Sequence, residues 1–398
     1  MGKMRFSLVE NFARGAKIKV VGVGGAGGNA IKRMVEAGVC GVEFVAINTD
    51  LQSLEKLDGY RTVQIGVETT RGLGAGGDAE VGRLAAEENR EDIMQALSGA
   101  DLVITTFGGG GGTGSGSGPV VVDIARELGA LTVAIVTRPF QFERAQRMQR
   151  AEDGIRQLRG VTDTLIVIPN QKLVDISLDV KLTEAFQRAD SILVQATKGI
   201  SELLTTAGEI NLDFNDLSTV MKGGGDALLG FGTASGEDRA LNAATQAISS
   251  PFLEDIDVAG ARSILINVSA SRDITLREFD TAVKVITDKT GNESNVIAGM
   301  AYNDDITDEL RVTLIATGLR QDLRAQPKQE SFTLQNSFTG NSFSNGATNG
   351  FSNGNGKTNG DTFRTVPVMP VAAPALDASL RSNGNSFSVP AILRRNRS

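Results

Sequence analysis

The chain has 398 residues, of which 40% are hydrophobic and 22% are charged, so it is long enough to form two ordinary domains. Its formal net charge of −7 argues against nucleic acid as the main partner, because binding along a phosphate backbone requires a basic surface. The sequence contains no histidine and one cysteine, Cys40, which excludes Ser-His-Asp triads, histidine metal sites and an internal disulfide bond.

The first part of the chain alternates between strand and helix patterns. Apolar runs predict strands at residues 18–23, 44–48, 102–105, 131–137 and 164–168, and a helix at residues 29–37. Repeated strand–helix–strand units imply a parallel, doubly wound sheet, and ligands of such sheets bind at the carboxyl ends of the strands. We assign residues 1–17 to an N-terminal extension and residues 18–180 to this α/β domain.

A glycine run from Gly108 to Gly116 lies between the strand pattern at residues 102–105 and a helix pattern at residues 120–125. A strand that leads through glycines into a helix exposes free backbone N–H groups at the positive end of the helix dipole. Ser117 is the predicted N-cap, and Pro119 lies near the first helical position. The run predicts a phosphate-binding loop, since a flexible linker rarely joins a buried strand to a helix.

Two further glycine-rich segments run from Gly22 to Gly27 and from Gly72 to Gly77. The first matches the dinucleotide-binding fingerprint, and Asp50 lies about where a ribose-binding acid is expected, so a nicotinamide or flavin enzyme is one interpretation. Three glycine loops at one sheet edge fit a nucleoside triphosphate better than a dinucleotide. Because the sequence has no P-loop lysine, backbone N–H groups and a cation would have to bind the phosphates.

The second part of the chain begins with a long amphipathic pattern. Apolar residues at three- and four-residue steps predict a helix at residues 181–207, and we assign residues 181–208 to a connecting helix. Beyond it, strands are predicted at residues 218–221, 261–269, 295–302 and 309–317, and helices at residues 236–249 and 276–290. These elements predict a second α/β domain at residues 209–320.

The C-terminal region has a different composition. Between residues 331 and 360 the only charged residue is Lys357, and Asn, Ser, Gly and Thr make up most of the rest, so we expect a disordered linker at residues 321–385. Residues 386–398 form a terminal peptide, in which an apolar patch and a basic cluster from Val389 to Arg397 predict a docking segment. The sequence shows neither a signal core nor an apolar run of about 18 residues that could span a membrane, so we expect a cytoplasmic protein without direct membrane insertion.

Several of these motifs occur in the order found in the FtsZ family, the bacterial tubulin-like division GTPases. The sequence resembles that family at residues 22–30, 48–50, 72–77, 110–116 and 211–216, and the last residues from Val389 resemble its C-terminal adaptor-binding peptide. The resemblance implies a tubulin/FtsZ-like α/β fold: an N-terminal Rossmann-like parallel-sheet GTPase domain, a long central helix, a C-terminal α/β domain and a disordered tail.

The resemblance also implies which residues bind the nucleotide. Main-chain groups around the phosphates would come from Gly24, Gly25, Ala26, Gly27, Gly28 and Asn29, and from Gly110, Gly111, Gly112, Thr113, Gly114, Ser115 and Gly116. Glu143 and Arg147 match the ribose-side segment, and Asn170, Phe186 and Asp190 match the residues that recognise and stack on guanine. Phe186 also fits the apolar stripe of the long helix, so core packing is an alternative for it.

A second set of residues resembles the loop that completes catalysis in the neighbouring subunit, namely Asn211, Asp213 and Asp216. The two acids are three positions apart and could polarise one attacking water near the terminal phosphate. The alternative is that Asp213 is an N-cap with Asp216 in the first helical turn. The local sequence supports both interpretations, and the neighbouring motifs favour catalysis.

Taken together, the resemblance implies a GTPase that binds GTP or GDP with Mg²⁺, without a metal-ligating side chain of its own. It would polymerise head-to-tail into the ring at the division site and bind membrane-linked adaptors such as FtsA or ZipA through its terminal peptide. The sequence departs from the family at residues 107–109, at Ser115, at Ser117 and Gly118, and at Arg144, where glycine is usual. The alternatives are a slow or non-catalytic filament-forming paralogue and an NAD-dependent oxidoreductase.

Overall fold

The computed structural model describes residues 15–57, 59–175, 181–205, 209–210, 212–253, 260–291, 294–303 and 306–319. Four parts of the predictions lie outside the described residues: residues 1–14 of the N-terminal extension, Asn211, the predicted linker at residues 321–385 and the terminal peptide at residues 386–398. The domain boundaries at residues 18–180, 181–208 and 209–320 stay predictions.

The described elements alternate in the way the first part of the sequence predicts. The strands are β1 (Ile18–Val23), β2 (Glu43–Asn48), β3 (Arg61–Gln64), β4 (Leu102–Gly108), β5 (Leu131–Arg138), β6 (Thr164–Pro169), β7 (Gly225–Ser235), β8 (Ser263–Ala270), β9 (Asn295–Tyr302) and β10 (Glu309–Thr317). The helices are α1 (Gly24–Glu36), α2 (Leu51–Glu55), α3 (Val67–Thr70), α4 (Ala79–Glu88), α5 (Arg90–Leu97), α6 (Gly112–Glu127), α7 (Ala145–Val161), α8 (Gln171–Asp175), α9 (Leu182–Thr205), α10 (Phe214–Met221), α11 (Arg239–Ile248) and α12 (Leu276–Thr290). A 3₁₀ turn, Gln141–Glu143, precedes α7.

The ten strands form one mixed sheet in the order β3-β2-β1-β4-β5-β6-β7-β10-β8-β9. The strands from β3 to β7 in this order pair in parallel, whereas β10 is antiparallel to both β7 and β8. In register, Val21 of β1 aligns with Val45 of β2 and with Thr105 of β4. Because β1 and β4 are parallel neighbours, the helices that follow them begin side by side at the same edge of the sheet.

Hydrophobic cores cover both faces of the parallel strands. In β1, Val20 belongs to one core and Val21 to the other, and both side chains are fully buried. Burial on two faces explains why these strands are continuous apolar runs in the sequence. The long helix α9 contributes Leu193 and Ile200 to the same core as Ile315 of β10, so it packs against both halves of the sheet.

The region after α9 differs from the prediction in two elements. Residues 218–221, predicted as a strand, belong to α10, and the next strand, β7, was not predicted. Leu217, Val220 and Met221 are all buried, and their spacing of three and four residues is that of one helix face. The short apolar run alone did not reveal this periodicity, because four residues are too few to separate a helix from a strand.

The start of α6 also differs from the prediction. The helix begins at Gly112, with Gly111 at the N-cap position and Pro119 inside the helix, so the prediction of Ser117 as N-cap was wrong. The Ser117 hydroxyl instead donates to the Gly82 carbonyl at 2.8 Å and joins α6 to α4. Glycine-rich sequence normally disfavours a helix, but here tertiary packing overrides that preference.

Candidate nucleotide-binding site

Two uncapped helix N-termini lie next to each other at the carboxyl edge of the sheet. α1 follows β1 with Val23 at its N-cap, and α6 follows β4 with Gly111 at its N-cap. Neither helix has a side-chain cap or an acidic residue in its first turn, a feature that they share with α7 and α11, whereas side chains cap α2, α4, α10 and α12. The free N–H groups and the positive dipole ends of α1 and α6 make this edge suited to an anion.

The three glycine-rich segments meet at this edge, as the sequence predicted. Gly24 has a φ of +71°, and a Cβ placed on it would lie 3.1 Å from the Gly114 nitrogen. The hydroxyls of Thr49 and Thr113 are 2.7 Å apart, which joins the end of β2 to the start of α6. The third segment joins through Gly72, whose carbonyl accepts a hydrogen bond from the Leu51 nitrogen.

The glycines in these loops fall into two classes. A Cβ on Gly25 would meet no atom within 4 Å, and a Cβ on Gly111 would meet only the Gly108 oxygen, at 3.9 Å. By contrast, a Cβ on Gly27 would lie 2.7 Å from the Thr106 oxygen, and one on Gly116 would lie 2.7 Å from the Arg83 nitrogen. The first class borders open space that a ligand could fill, and the second allows α1 to pack closely on β4 and α6 on α4.

The remaining glycines of the two loops are also packed against protein. A Cβ on Gly28 would lie 3.2 Å from Leu57, one on Gly112 would lie 2.8 Å from the Asp78 nitrogen, and one on Gly114 would lie 3.3 Å from Phe107. Close packing alone therefore explains why glycine stands at positions 27, 28, 112, 114 and 116, whether or not a ligand binds. Ala26 lies against Gly108, and Asn29 is exposed on α1.

Ser115 stabilises the candidate phosphate-binding loop, residues 108–116, by an internal hydrogen bond. Its buried hydroxyl accepts a hydrogen bond from the Gly110 nitrogen at 2.8 Å. Gly110 has a φ of +87°, and a Cβ on it would lie 2.5 Å from both the Cγ and the carbonyl oxygen of Arg147. The loop is therefore fixed between α6 and the first turn of α7.

Glu143 and Arg147 form an ion pair at the start of α7. Glu143 Oε1 accepts from the Phe140 nitrogen at 2.9 Å, and Oε2 lies 2.9 Å from Arg147 Nη1. The Glu143 side chain is 8% exposed and that of Arg147 is 49% exposed. Glu143 thus stabilises the 3₁₀ turn, whereas the side chain of Arg147, beside Gly110, is half-exposed and can contact a ligand.

The residue between them, Arg144, has a strained backbone, with φ 77° and ψ 153°. Essentially only glycine occupies this region, and other residues cost about 1–3 kcal/mol there. We predict that Arg144→Gly raises the free energy of unfolding by about 1 kcal/mol, because relief of strain exceeds the entropy that glycine adds to the unfolded chain. Chemical denaturation of the nucleotide-free protein measures this change. Arg144→Ala, which removes the charge and keeps the strain, should show no gain, and an equal gain would assign the effect to charge.

Asn170 and Asp190 are the candidate guanine-binding residues: Asn170 directly follows β6, and Asp190 lies in α9. The Asn170 side chain is 5% exposed, and its Oδ1 has no hydrogen-bond partner in the described part of the chain. An unpaired buried polar atom costs about 1–3 kcal/mol, so Oδ1 is suited to accept from a ligand or water. Asp190 Oδ2 lies 3.1 Å from Arg33 Nε, and burial raises the pKa of Asp190 although Arg33 acts to lower it.

Phe186 belongs to a surface cluster of three aromatic rings. Its ring centroid lies 5.4 Å from that of Phe140 and 6.4 Å from that of Phe142, both edge to face. Phe140 is buried, whereas Phe186 is 40% and Phe142 58% exposed. Core packing therefore does not account for Phe186, whose exposed part can cover a flat ligand.

Asp213 and Asp216 lie at the opposite edge of the sheet. Thr205, the last residue of α9, contacts Gly41, which precedes β2 and so lies at the amino edge. Asp213 follows a few residues later and is the N-cap of α10, since its Oδ1 accepts from the Asp216 nitrogen at 2.8 Å. Both acids are exposed.

Comparisons with known proteins agree with this geometry. Residues 17–177 match the GTPase domain of the Tubulin/FtsZ family, and residues 225–320 match the C-terminal domain of the FtsZ family. The chain belongs to the FtsZ family. It is 46% identical over 333 residues to the cell division protein FtsZ of Pseudomonas aeruginosa, covering 83% of this chain and 84% of that protein.

Solved structures show the same relationship. An empty FtsZ dimer from M. jannaschii is 44% identical, with a TM-score of 0.74 over 77% of this chain and 89% of its own. A CetZ2 protofilament from Haloferax volcanii is 23% identical, with a TM-score of 0.64 over 77% of this chain and 94% of its own, and supports the fold alone. The resemblance and fold class predicted from the sequence are confirmed, and this FtsZ-family chain is a GTP-binding cell-division GTPase.

The structure also weighs against the dinucleotide interpretation. Asp50, the candidate ribose-binding acid, caps α2 by accepting hydrogen bonds from the nitrogens of Gln52 and Ser53 and from the Ser53 hydroxyl, so its carboxylate is already occupied.

No sequence signal indicated Arg33 as a site residue, because its partner Asp190 is 157 positions away in the chain. Among the described residues of this FtsZ-family chain, no helix is long and apolar enough to cross a membrane.

Proposed function

We propose that this FtsZ-family chain polymerises head-to-tail and hydrolyses GTP at each contact between subunits, in the cytoplasmic ring at the division site. One observation carries the proposal: Asp213 and Asp216 are exposed at the opposite edge of the sheet from the uncapped starts of α1 and α6. A contact between unlike faces does not close on itself and generates a filament. One subunit would then supply the nucleotide site and the next would supply the acids.

The nucleotide site is proposed to divide into three parts. Backbone N–H groups of residues 24–29 and 110–116 would bind the phosphates, with Gly25 and Gly111 facing them. Glu143 and Arg147 would lie beside the ribose. On the base side, Asn170, Phe186 and Asp190 would bind guanine: the unpaired Asn170 Oδ1 and the Asp190 carboxylate accept from its N–H groups, and Phe186 covers its ring.

Magnesium would be bound with the nucleotide. The described residues contain no group of three or more acidic or cysteine side chains that could hold a metal ion. Mg²⁺ commonly keeps several waters and binds through substrate phosphates, which fits a site built mainly from backbone amides. When bound, the ion would neutralise charge that develops on the phosphates.

The catalytic loop is proposed to comprise Asn211, Asp213 and Asp216. Asp213 and Asp216 are exposed and could orient and polarise a water molecule against the terminal phosphate of the neighbouring subunit. Large apolar side chains are exposed and available to an interface: Leu73 is 84% exposed beside the nucleotide site, and Leu276 is 81% exposed at the start of α12. The M. jannaschii relative, described as an FtsZ dimer, supports self-association.

A shared site makes activity depend on protein concentration. We predict that phosphate release per molecule rises above a threshold concentration with GTP, while ATP in parallel gives little release. The measurement is steady-state phosphate release across a dilution series, with light scattering to detect assembly. A specific activity that stays constant through the threshold would contradict the shared site, and assembly without turnover would favour the non-catalytic paralogue.

Attachment to the membrane is proposed to require a partner. Residues 321–385 would be the tether, and the segment from Val389 to Arg397 would bind an adaptor such as FtsA or ZipA. The sequence of that segment, apolar and then basic, supports docking into a groove with an acidic rim.

A further inference from the structure

Tyr302, at the end of β9, bridges two loops, one of which is the segment that precedes Asp213. Its hydroxyl donates to Glu209 Oε1 at 3.4 Å. Arg272, in the loop between β8 and α12, lies over the same ring, with its Cζ 5.1 Å from the centroid. One tyrosine thus joins a carboxylate and a guanidinium from two separate segments.

The segment just before Asp213 is attached to β9 along its length. The Met300 nitrogen donates to the Ile210 carbonyl at 3.0 Å. A Cβ on Gly299 would lie 2.7 Å from Leu212, which is buried. Glu209, Ile210 and Leu212 therefore all contact β9, and the hydrogen bond that Tyr302 donates to Glu209 adds a side-chain contact to this attachment.

The other end of the bridge is itself fixed. Asp273, next to Arg272, lies 3.2 Å from the guanidinium of Arg239, which is 5% exposed. Arg239 also pairs with Glu278 at 2.6 Å and with Asp308 at 3.5 Å. Because the nearly buried Arg239 pairs with three carboxylates, one of them Asp273, the loop that carries Arg272 is held in place.

We propose that the Glu209–Tyr302–Arg272 bridge positions the loop that carries Asp213 for reaction at the neighbouring subunit. This inference rests on the proposed function, in which Asp213 acts on the nucleotide of another copy. Tyr302 is a positioning residue in it, since it acts through Glu209 and β9. A small displacement of a reacting group can lower a rate by up to about 100-fold, so one anchoring bond can affect turnover measurably.

The bridge itself can be tested without any activity. The chain has two tyrosines, Tyr60 and Tyr302, and no tryptophan, so in a Tyr60→Phe background tyrosinate absorbance reports Tyr302 alone. Burial and the Glu209 carboxylate raise the pKa of Tyr302, and Arg272 opposes them. Glu209→Gln in this background should therefore lower the titration midpoint of Tyr302. An unchanged midpoint would mean that Glu209 and Tyr302 are not in contact.

Turnover then tests the positioning role. Tyr302→Phe keeps the ring beneath Arg272 and should lower phosphate release per assembled subunit by about two- to tenfold, the effect of losing one hydrogen bond. GTP affinity and the assembly threshold should stay unchanged, and the melting temperature should fall by no more than a few degrees, the effect of about 1 kcal/mol. Glu209→Ala should behave alike, and Glu209→Gln, whose amide oxygen still accepts the bond, should restore most of the rate.

A double-mutant cycle decides between positioning and coincidence. Glu209→Ala and Tyr302→Phe together should lower turnover no more than either alone, because both remove the same bond. Additive losses, or a loss that follows a raised assembly threshold, would overturn the proposal. If the parent protein has the same specific activity at all concentrations, the proposed function fails instead, and the two failures are distinguishable.

Discussion

Asp213→Asn should lower GTP turnover by at least about 100-fold, the usual range for loss of a group that activates a nucleophile, while the fold is retained. Asparagine caps a helix as well as aspartate does, so the bond from the Asp216 nitrogen to Oδ1 is preserved and α10 keeps its N-cap. The substitution removes only the negative charge. Phosphate release above the assembly threshold measures the loss, and thermal unfolding measures the stability.

The two interpretations of Asp213 separate in a matched pair of variants. Asp213→Ala loses both the charge and the cap, so it should lose turnover and about 1 kcal/mol of stability. If Asp213→Asn instead hydrolyses GTP at the parent rate, capping α10 is the whole role of this residue. GTP binding should persist in both variants, because Asp213 lies at the other edge of the sheet from its own nucleotide site.

The parallel half of the fold was predictable because its strands are buried on both faces. β5, predicted at residues 131–137, extends over Leu131–Arg138, with every position to Thr137 buried. α10 could not be predicted in the same way, since its apolar positions Leu217, Val220 and Met221 are few and follow immediately after a loop. Long uniform apolar runs thus predict an element, whereas short ones depend on tertiary contacts.

The location of the candidate site was predictable from the sequence. Which of its glycines border open space and which pack against protein was not. The sequence places the glycine loops at one edge, and the structure brings them together there. Which glycine borders open space depends on residues far away in sequence: Gly116 packs against α4, and Gly27 packs against Thr106 of β4. The strain at Arg144 is likewise a property of backbone geometry that composition does not reveal.

Gly111→Ala should lower GTP affinity by about 10- to 100-fold without loss of stability. Its backbone, with φ −79° and ψ 161°, suits alanine, and the added Cβ would meet only the Gly108 oxygen at 3.9 Å. In the bound state that methyl group would occupy the space assigned to phosphate, and overpacking costs about 1–3 kcal/mol, with about 1.4 kcal/mol equal to tenfold in affinity. Equilibrium binding of GTP below the assembly threshold measures the change.

Gly116→Ala is the matched control, since it adds the same methyl group five residues further on, inside α6. There the Cβ would collide with the Ala79 carbonyl and lie 2.7 Å from the Arg83 nitrogen, so α4 and α6 would be forced apart. We expect this variant to lose about 1–3 kcal/mol of stability, the reverse of Gly111→Ala. If Gly111→Ala binds GTP as tightly as the parent, the N–H groups at the start of α6 do not contact phosphate. A loss of GTP affinity at Gly111 without a loss of stability, beside a loss of stability at Gly116, would identify contact with the ligand as its cause.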